Sequence, residues 1–215
     1  MSAHADHADH HGPIVWPKDK QYGLATPGKL AMWFFLCSDA FSFSGLLLAY
    51  GILRGGAEVW HNPALNEPHL GINFTAALTF LLICSSVTMV LAHAACVERD
   101  RAGTTKFLAL TVLGGVLFLA GQYQEYFGLI HALGHGLTNE GLVFGQSAYA
   151  TTFYVTTSFH GAHVFTGVCL LTYATIQSAR GKYDNGNHDT IEIIGLFWHF
   201  VDLVWILVFT FIYLL

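Results

Sequence analysis

The amino-acid sequence predicts an all-α integral membrane protein, a bundle of five transmembrane helices. Two observations favour this fold class. Of 215 residues, 53% are hydrophobic and only 11% are charged, whereas soluble domains contain about a quarter charged residues. In addition, five apolar stretches are each long enough to cross a hydrocarbon core about 30 Å thick, which takes roughly 20 helical residues. Lipid is therefore expected to be the main solvent of this chain.

The five predicted spans lie between loops that contain Gly, Pro, Asn and charged residues. In chain order the spans cover about 29–53, 73–97, 105–131, 148–177 and 191–214. Strands of a membrane β-barrel are not favoured, because such strands are about ten residues long and alternate in polarity. The stretches here are apolar on all sides over a much greater length. A single five-helix transmembrane domain is thus predicted for residues 29–215.

Residues 1–28 are predicted to form a His-rich cytoplasmic tail. The segment MSAHADHADHHGPIVWP has no apolar core, so it is not expected to be a signal peptide. Four histidines alternate in it with Ala and Asp, and this composition can bind transition metals weakly. A solvated, disordered tail is the favoured interpretation. The four residues are His4, His7, His10 and His11.

The basic residues predict the orientation of the bundle. Eight of the nine Lys and Arg residues flank one side of the predicted spans, and Arg54 lies on the other side. By the positive-inside rule, the N-terminus is expected inside and the C-terminus outside. Charge alone also predicts that four residues of the inner loops anchor lipid headgroups: Arg99, Arg101, Arg180 and Lys182.

Six polar residues within the spans are the candidate functional residues, because ionisable groups in hydrocarbon are costly and usually functional. They are Asp39 in the first span, Glu125 in the third, His160 and His163 in the fourth, and His199 and Asp202 in the fifth. With a rise of about 1.5 Å per residue, five of them are expected near mid-membrane. Glu125 is expected nearer the outer end of its span.

Three interpretations of these six residues remain open from the sequence. Metal binding is the weakest, because helical bundles hold metal pairs with Glu-x-x-His motifs, whereas this chain has His-x-x-His and His-x-x-Asp. Buried Asp, Glu and His also mark proton pathways, although no internal repeat or Pro-broken helix pair indicates a stand-alone transporter. Interhelical hydrogen bonding, at about a kcal/mol or less per bond, is slightly favoured for any single residue. Small residues at Gly161, Ala162 and Gly167 are expected to allow close helix approach.

Four motifs occur in an order that is found in one known family. They are FFLCSDAFSFSGLLLAY at 34–50, QYQEYF at 122–127, FYVTTSFHGAHVFTG at 153–167 and FWHFVDLVWILVF at 197–209. Together these motifs resemble subunit III of the haem-copper respiratory oxidases, over about residues 29–215. Because there is room for five spans, the chain is similar to the five-helix bacterial forms, including those of quinol oxidases. Asp39 stands where many members carry Glu.

The resemblance implies a non-redox subunit of a terminal oxidase that reduces O₂ to water and translocates protons across the bacterial cytoplasmic (inner) membrane. It implies that this subunit stabilises subunit I, supports proton uptake and binds phospholipid. Asp39 and Glu125 would be the buried carboxylates of the family's motifs. The remaining four candidates, His160, His163, His199 and Asp202, would be the polar positions of the last two helices.

The resemblance also defines the expected cofactors and partners. No catalytic, cofactor-binding or metal-binding residue is expected in this chain, since haem and copper would belong to partner subunits. Subunits I and II and membrane lipids are the expected partners, with cytochrome c or quinol donating electrons through other subunits. Nucleic acid is not expected, because the net charge is −5 and no basic patch lies beyond the inner loops. A stand-alone membrane metalloprotein or proton-conducting protein is the alternative.

Overall fold

The computed structural model describes residues 26–58, 60, 71–128, 136–184 and 188–215, which form helices and connecting segments with no strand among them. The predicted all-α class is confirmed. Five helices are long and apolar enough to span a membrane, as the sequence predicted. The His-rich residues 1–25 lie outside the described part, and the orientation of the bundle stays a prediction. The helices are α1 Pro27–Gly56, α2 Ile72–Val97, α3 Arg101–Phe127, a short α4 Leu137–Glu140, α5 Ala148–Ala179 and α6 Asp189–Val208, which continues as a π-helical segment Phe209–Leu214.

Local sequence explains several helix boundaries. Pro27 opens α1, where the missing N–H of proline has no cost. Ser147 precedes α5, and its hydroxyl accepts a hydrogen bond from the Ala150 N–H at 3.0 Å, as expected of an N-cap serine. Acidic side chains at Asp189 and Glu192 occupy the first turn of α6, where they complement the helix dipole.

The third span differs from its predicted range of 105–131. Helix α3 starts at Arg101, because the connection from α2 is a tight turn in which Arg99 has a φ of 62°. The helix ends at Phe127, because Gly128 adopts the left-handed conformation and its N–H donates to the Gln124 carbonyl at 2.7 Å. A left-handed glycine is a common helix terminator. The predicted span was therefore placed about four residues too far along the chain.

Helices α2, α3, α5 and α6 form the core of the bundle. Three glycines of α3 allow this packing, since an added Cβ would lie 2.6 Å from the Ser85 Cβ at Gly114, 2.7 Å from the Trp198 ring at Gly115 and 2.4 Å from the Leu78 side chain at Gly121. Small residues of this kind let helix backbones approach closely in membrane proteins. The core is consequently dense around the buried tryptophans of α6.

Helix α1 lies at the periphery and contacts α5 and α6. Its buried apolar residues, Leu36, Phe43 and Tyr50, recur every seven positions, so a single stripe faces the bundle. The opposite face is open, with Phe34 and Phe41 exposed to 69% and 80%. In this protein the first span is thus a loosely attached helix beside a tightly packed core.

Candidate functional site

Asp39 and His163 form a pair between α1 and α5. The His163 Nε2 lies 3.2 Å from the Asp39 Oδ1, and the His163 Nδ1 lies 2.8 Å from the Phe159 carbonyl oxygen. A carbonyl oxygen can only accept, so Nδ1 carries a proton. The pair therefore joins α1 to α5 in the interior of the bundle.

The surroundings of this pair are largely apolar. The rings of Phe43 and Phe159 lie 5.2 Å and 4.8 Å from the His163 ring, measured between centroids. Asp39 is buried, and its second oxygen, Oδ2, has no hydrogen-bond partner among the residues that the structure describes. An unpaired carboxyl oxygen in such a setting is costly when the group is ionised.

His199 and Asp202 meet on α6 through a serine of α2. The Ser86 Oγ lies 2.6 Å from the His199 Nδ1, and Ser86 also forms a side-chain hydrogen bond with Asp202. Because a hydroxyl has one proton, Ser86 can donate to only one of these two partners. His199 and Asp202 share this serine, which was not predicted.

His160 has a different environment from its neighbour His163, although only three residues separate them on α5. Its side chain is fully buried. Its ring centroid lies 4.8 Å from that of Trp205 and 5.9 Å from that of Phe118. Neither ring nitrogen has a hydrogen-bond partner within the described ranges. This histidine therefore packs as an aromatic ring in the core.

Glu125 is enclosed by three donors near the end of α3. The Thr75 hydroxyl donates to Oε1 at 2.9 Å, and the Tyr213 hydroxyl donates to Oε2 at 3.0 Å. The Gln122 amide donates to Oε2 at 3.4 Å. These partners come from α2, from the π-helical end of the chain and from α3 itself. Glu125 thus joins three segments of the chain. The sequence analysis predicted none of its three hydrogen-bond partners.

The six predicted residues consequently form four separate polar groups: the Asp39–His163 pair, the chain from His199 through Ser86 to Asp202, His160 alone, and Glu125 with its donors. Within the described residues, no three of these six bring their ligand atoms together. Three of these groups join different helices through polar contacts, whereas His160 does not in the described part of the chain.

Two tryptophans of α6 also contribute polar contacts that the sequence analysis missed. The Trp198 N–H donates to the Ser85 hydroxyl at 3.2 Å, and the Trp205 N–H donates to the Thr79 hydroxyl at 2.9 Å. A buried indole N–H usually finds an acceptor, and the spacing of seven residues that places both rings on one face of α6 was a usable signal.

The prediction for the small residues of α5 is correct at one position and wrong at another. At Gly167 an added Cβ would lie 2.8 Å from the Trp198 ring, so this glycine does allow close approach. At Gly161 nothing lies within 4 Å. Gly161 therefore lies on the outer side of α5, away from the neighbouring helices.

The four basic residues predicted as headgroup anchors lie at one end of the bundle, where α2 and α5 end and α3 begins. Arg101 donates to the Ala179 carbonyl and lies 3.9 Å from Asp184. The Lys182 ammonium lies 5.9 Å from the centre of the Tyr173 ring. All four side chains are exposed, those of Arg99 and Arg180 included. Their placement leaves them accessible to headgroups.

The family model described as cytochrome c oxidase subunit III matches residues 20–215. This chain belongs to that family. Cytochrome c oxidase subunit 3 of Synechocystis sp. is 37% identical over 182 residues, which cover 84% of this chain and 72% of the relative. The proteins of the same name from Thermostichus vulcanus and Corynebacterium diphtheriae are 36% and 34% identical, and cover 86% and 83% of each chain, respectively.

Membership of the subunit III family confirms the resemblance that the four motifs indicated. It places the chain in an oxidase complex with other subunits. Together with the five membrane-spanning helices, it identifies a multi-pass protein of the bacterial inner membrane. The polar groups described above are therefore features of an oxidase subunit.

Proposed function

We propose that this chain is a non-redox subunit III of a respiratory haem-copper terminal oxidase. In this role it stabilises subunit I, supports proton uptake and binds phospholipid. Subunits I and II would hold the haem and copper, and cytochrome c or quinol would donate electrons through them. The observation that carries the proposal is that His163 and His199 contact partners inside this chain.

The contacts of the histidines support a non-redox role. Both nitrogens of His163 are engaged, one by Asp39 and the other by the Phe159 carbonyl. The Nδ1 of His199 contacts Ser86 at 2.6 Å. His160 packs against the Trp205 and Phe118 rings, at 4.8 Å and 5.9 Å between centroids. A haem or copper centre would have to displace these contacts.

The contact between Asp39 and His163, at 3.2 Å, supports a role in proton handling. Ionisable groups inside a membrane bundle mark proton relays when they can exchange a proton with each other. Asp39 lies on α1, whose opposite face is open, so a partner subunit could pack against this helix. Lipid binding is supported by the exposed basic residues at one end of the bundle, since such side chains attract anionic headgroups.

A purification from native membranes tests the proposal. We expect the chain to copurify with a haem-bearing subunit, and the separated chain to contain no stoichiometric iron or copper. Subunit identification by mass spectrometry, a haem spectrum and metal analysis of the separated chain are the measurements. Isolation of a stable lone protein that carries its own iron or copper would contradict the proposal and favour the alternative of a stand-alone metalloprotein.

A further inference from the structure

A second group of titratable side chains lies at the end of the bundle where α2 ends and α6 begins. His93 is in the last turns of α2, His188 directly precedes α6, and Glu192 lies in the first turn of α6. One ligand atom from each of the three residues lies within 4.8 Å of the other two. This is the end of the bundle that carries Arg99 and Arg101. None of the groups described above includes these residues.

We propose that His93, His188 and Glu192 form a binding site for a redox-inert divalent transition metal, with Zn²⁺ as the best match. Two imidazoles and one carboxylate are a frequent zinc ligand set, and water completes the tetrahedron. The imidazoles disfavour the hard cations Mg²⁺ and Ca²⁺, which prefer oxygen ligands. The inference departs from the sequence-based expectation that this chain has no metal site, and it does not depend on the proposed function.

The distances within the group are close to those of a metal site. Neighbouring ligand atoms in a tetrahedral zinc site are about 3.4 Å apart, given bonds of about 2.1 Å. The His93 Nε2 and the Glu192 Oε2 are 4.0 Å apart, so a small rotation of either side chain closes the gap. The His93 and His188 rings are 5.7 Å apart between centroids and steeply inclined, at 74°.

Two further features prepare this group for a metal. The His93 Nε2 is buried, and the described residues supply no hydrogen-bond partner for it. His188 and Glu192 are held one turn apart at the start of α6, since the Glu192 N–H donates to the His188 carbonyl at 2.9 Å. A ligand pair fixed by a helix faces a ligand on a second helix, so a bound ion would join α2 to α6.

Lys29 of α1 competes with a metal for the same carboxylate. Its ammonium lies 2.7 Å from the Glu192 Oε2 and 3.2 Å from the Asp189 Oδ1. The Oε2 atom is also the one that faces His93. When Glu192 binds a metal, Lys29 retains Asp189 as its counter-ion. Metal binding would thus transfer Glu192 from a contact with α1 to a contact with α2.

Zinc titration of the purified full-length chain in lipid nanodiscs tests the inference. The background variant has alanine at His4, His7, His10 and His11, because that tail can bind metal weakly. We expect calorimetry to give one Zn²⁺ per chain. The affinity for Zn²⁺ should fall by about a hundredfold in His93→Asn and in Glu192→Gln. Such a loss is at the upper end of that seen when groups supporting a metal site are removed. X-ray absorption at the zinc edge should report two imidazoles and no sulfur.

Two further variants separate a metal site from a general structural effect. Lys29→Met removes the competing ammonium, so we expect the affinity for Zn²⁺ to rise, and misfolding cannot produce such a gain. Asp184→Asn is the matched control, because that carboxylate lies at the same end of the bundle and faces Arg101 at 3.9 Å. The affinity of this variant for Zn²⁺ should equal that of the background variant.

Several results would overturn the inference. They are zinc binding that vanishes with the tail histidines, an affinity that His93→Asn leaves unchanged, a zinc environment containing sulfur or lacking imidazole, and an affinity that does not rise in Lys29→Met. None of these measurements depends on assembly with other oxidase subunits. Failure of the metal site and failure of the proposed function are therefore distinguishable.

Discussion

Glu125 and Asp39 are both buried carboxyl groups, but they differ in the number and kind of their polar partners. Three neutral donors surround Glu125, from Thr75, Tyr213 and Gln122. Asp39 contacts one histidine, at 3.2 Å, and its second oxygen has no partner in the part of the chain that the structure describes. Three donors hold Glu125 in place, whereas Asp39 has a single ionisable partner. We therefore predict that Glu125 supports the fold and that Asp39 supports function.

The helices that carry the two residues differ in the same way. Glu125 belongs to α3, which packs in the core against α2 and α5. Asp39 belongs to α1, which presents only one stripe to the bundle. Substitution at Glu125 should therefore act on the fold, and substitution at Asp39 should act on function with little effect on the fold.

The largest effect is expected for Glu125→Leu. This change leaves the Tyr213 hydroxyl and the Gln122 amide without their acceptor inside the bundle, whereas the Thr75 hydroxyl retains the Gly71 carbonyl at 3.3 Å. We expect a loss of about 3 kcal/mol in the free energy of unfolding, since each stranded buried donor costs about 1 kcal/mol or more. Chemical unfolding of the chain in mixed micelles measures it. Glu125→Gln retains one acceptor oxygen and should lose less; equal stability of all three proteins would show that these hydrogen bonds do not support the fold.

The contrast between these two residues also shows how far the sequence can be interpreted. Hydropathy identified all five spans, because length and composition alone decide whether a helix can cross a bilayer. Counting residues along each helix predicts a depth for each residue but not its direction around the helix axis, because packing with other helices determines that direction. His160 and His163 were therefore expected to have similar environments, although the His160 ring lies in the core and the His163 ring faces α1.

The partners of Glu125 were also beyond the reach of sequence reasoning. Tyr213 lies 88 residues away from it, and no local pattern links the two positions. By contrast, the end of α3 was predictable from Gly128, since a glycine after a helical stretch often terminates it. Gly161 and Gly167 show the remaining limit: the same residue type on one helix faces open space at one position and a tryptophan at the other.

A smaller effect is expected for Gly115→Ala, which tests the difference in packing between the core and α1. The added methyl group would lie 2.6 Å from the Val168 side chain and 2.7 Å from the Trp198 ring. Overpacking of this kind costs about 2 kcal/mol. Gly45→Ala is the matched control on α1, where nothing lies within 4 Å. Unfolding of the isolated chain in mixed micelles compares them, and an equal loss in both variants would refute the contrast.

His199→Leu should have a still smaller effect on stability. The substitution removes the contact with Ser86 and leaves the serine bonded to Asp202 alone, at a cost of about 1 kcal/mol. Because α6 lies in the core, we expect weaker retention of this subunit when the oxidase is exposed to increasing detergent. Gel filtration of the complex with subunit quantification measures the loss. Ser86→Ala should reproduce it, and a complex that stays whole in both variants would exclude a structural role for this chain of hydrogen bonds.

The smallest effect on stability, and the clearest effect on function, is expected for Asp39→Asn. An asparagine amide can donate to the His163 Nε2 and preserve the contact between α1 and α5, but it cannot exchange a proton. We expect stability to change by less than about 1 kcal/mol and oxidase activity to decline faster during prolonged turnover. Oxygen consumption by the purified complex, followed over many turnovers, measures the decline. His163→Gln is the matched control, since it breaks the same exchange from the other side. If activity persists in both variants as it does in the unmodified complex, Asp39 is a packing residue. Asp39 and Glu125 would then differ only in the number of groups that contact each carboxyl.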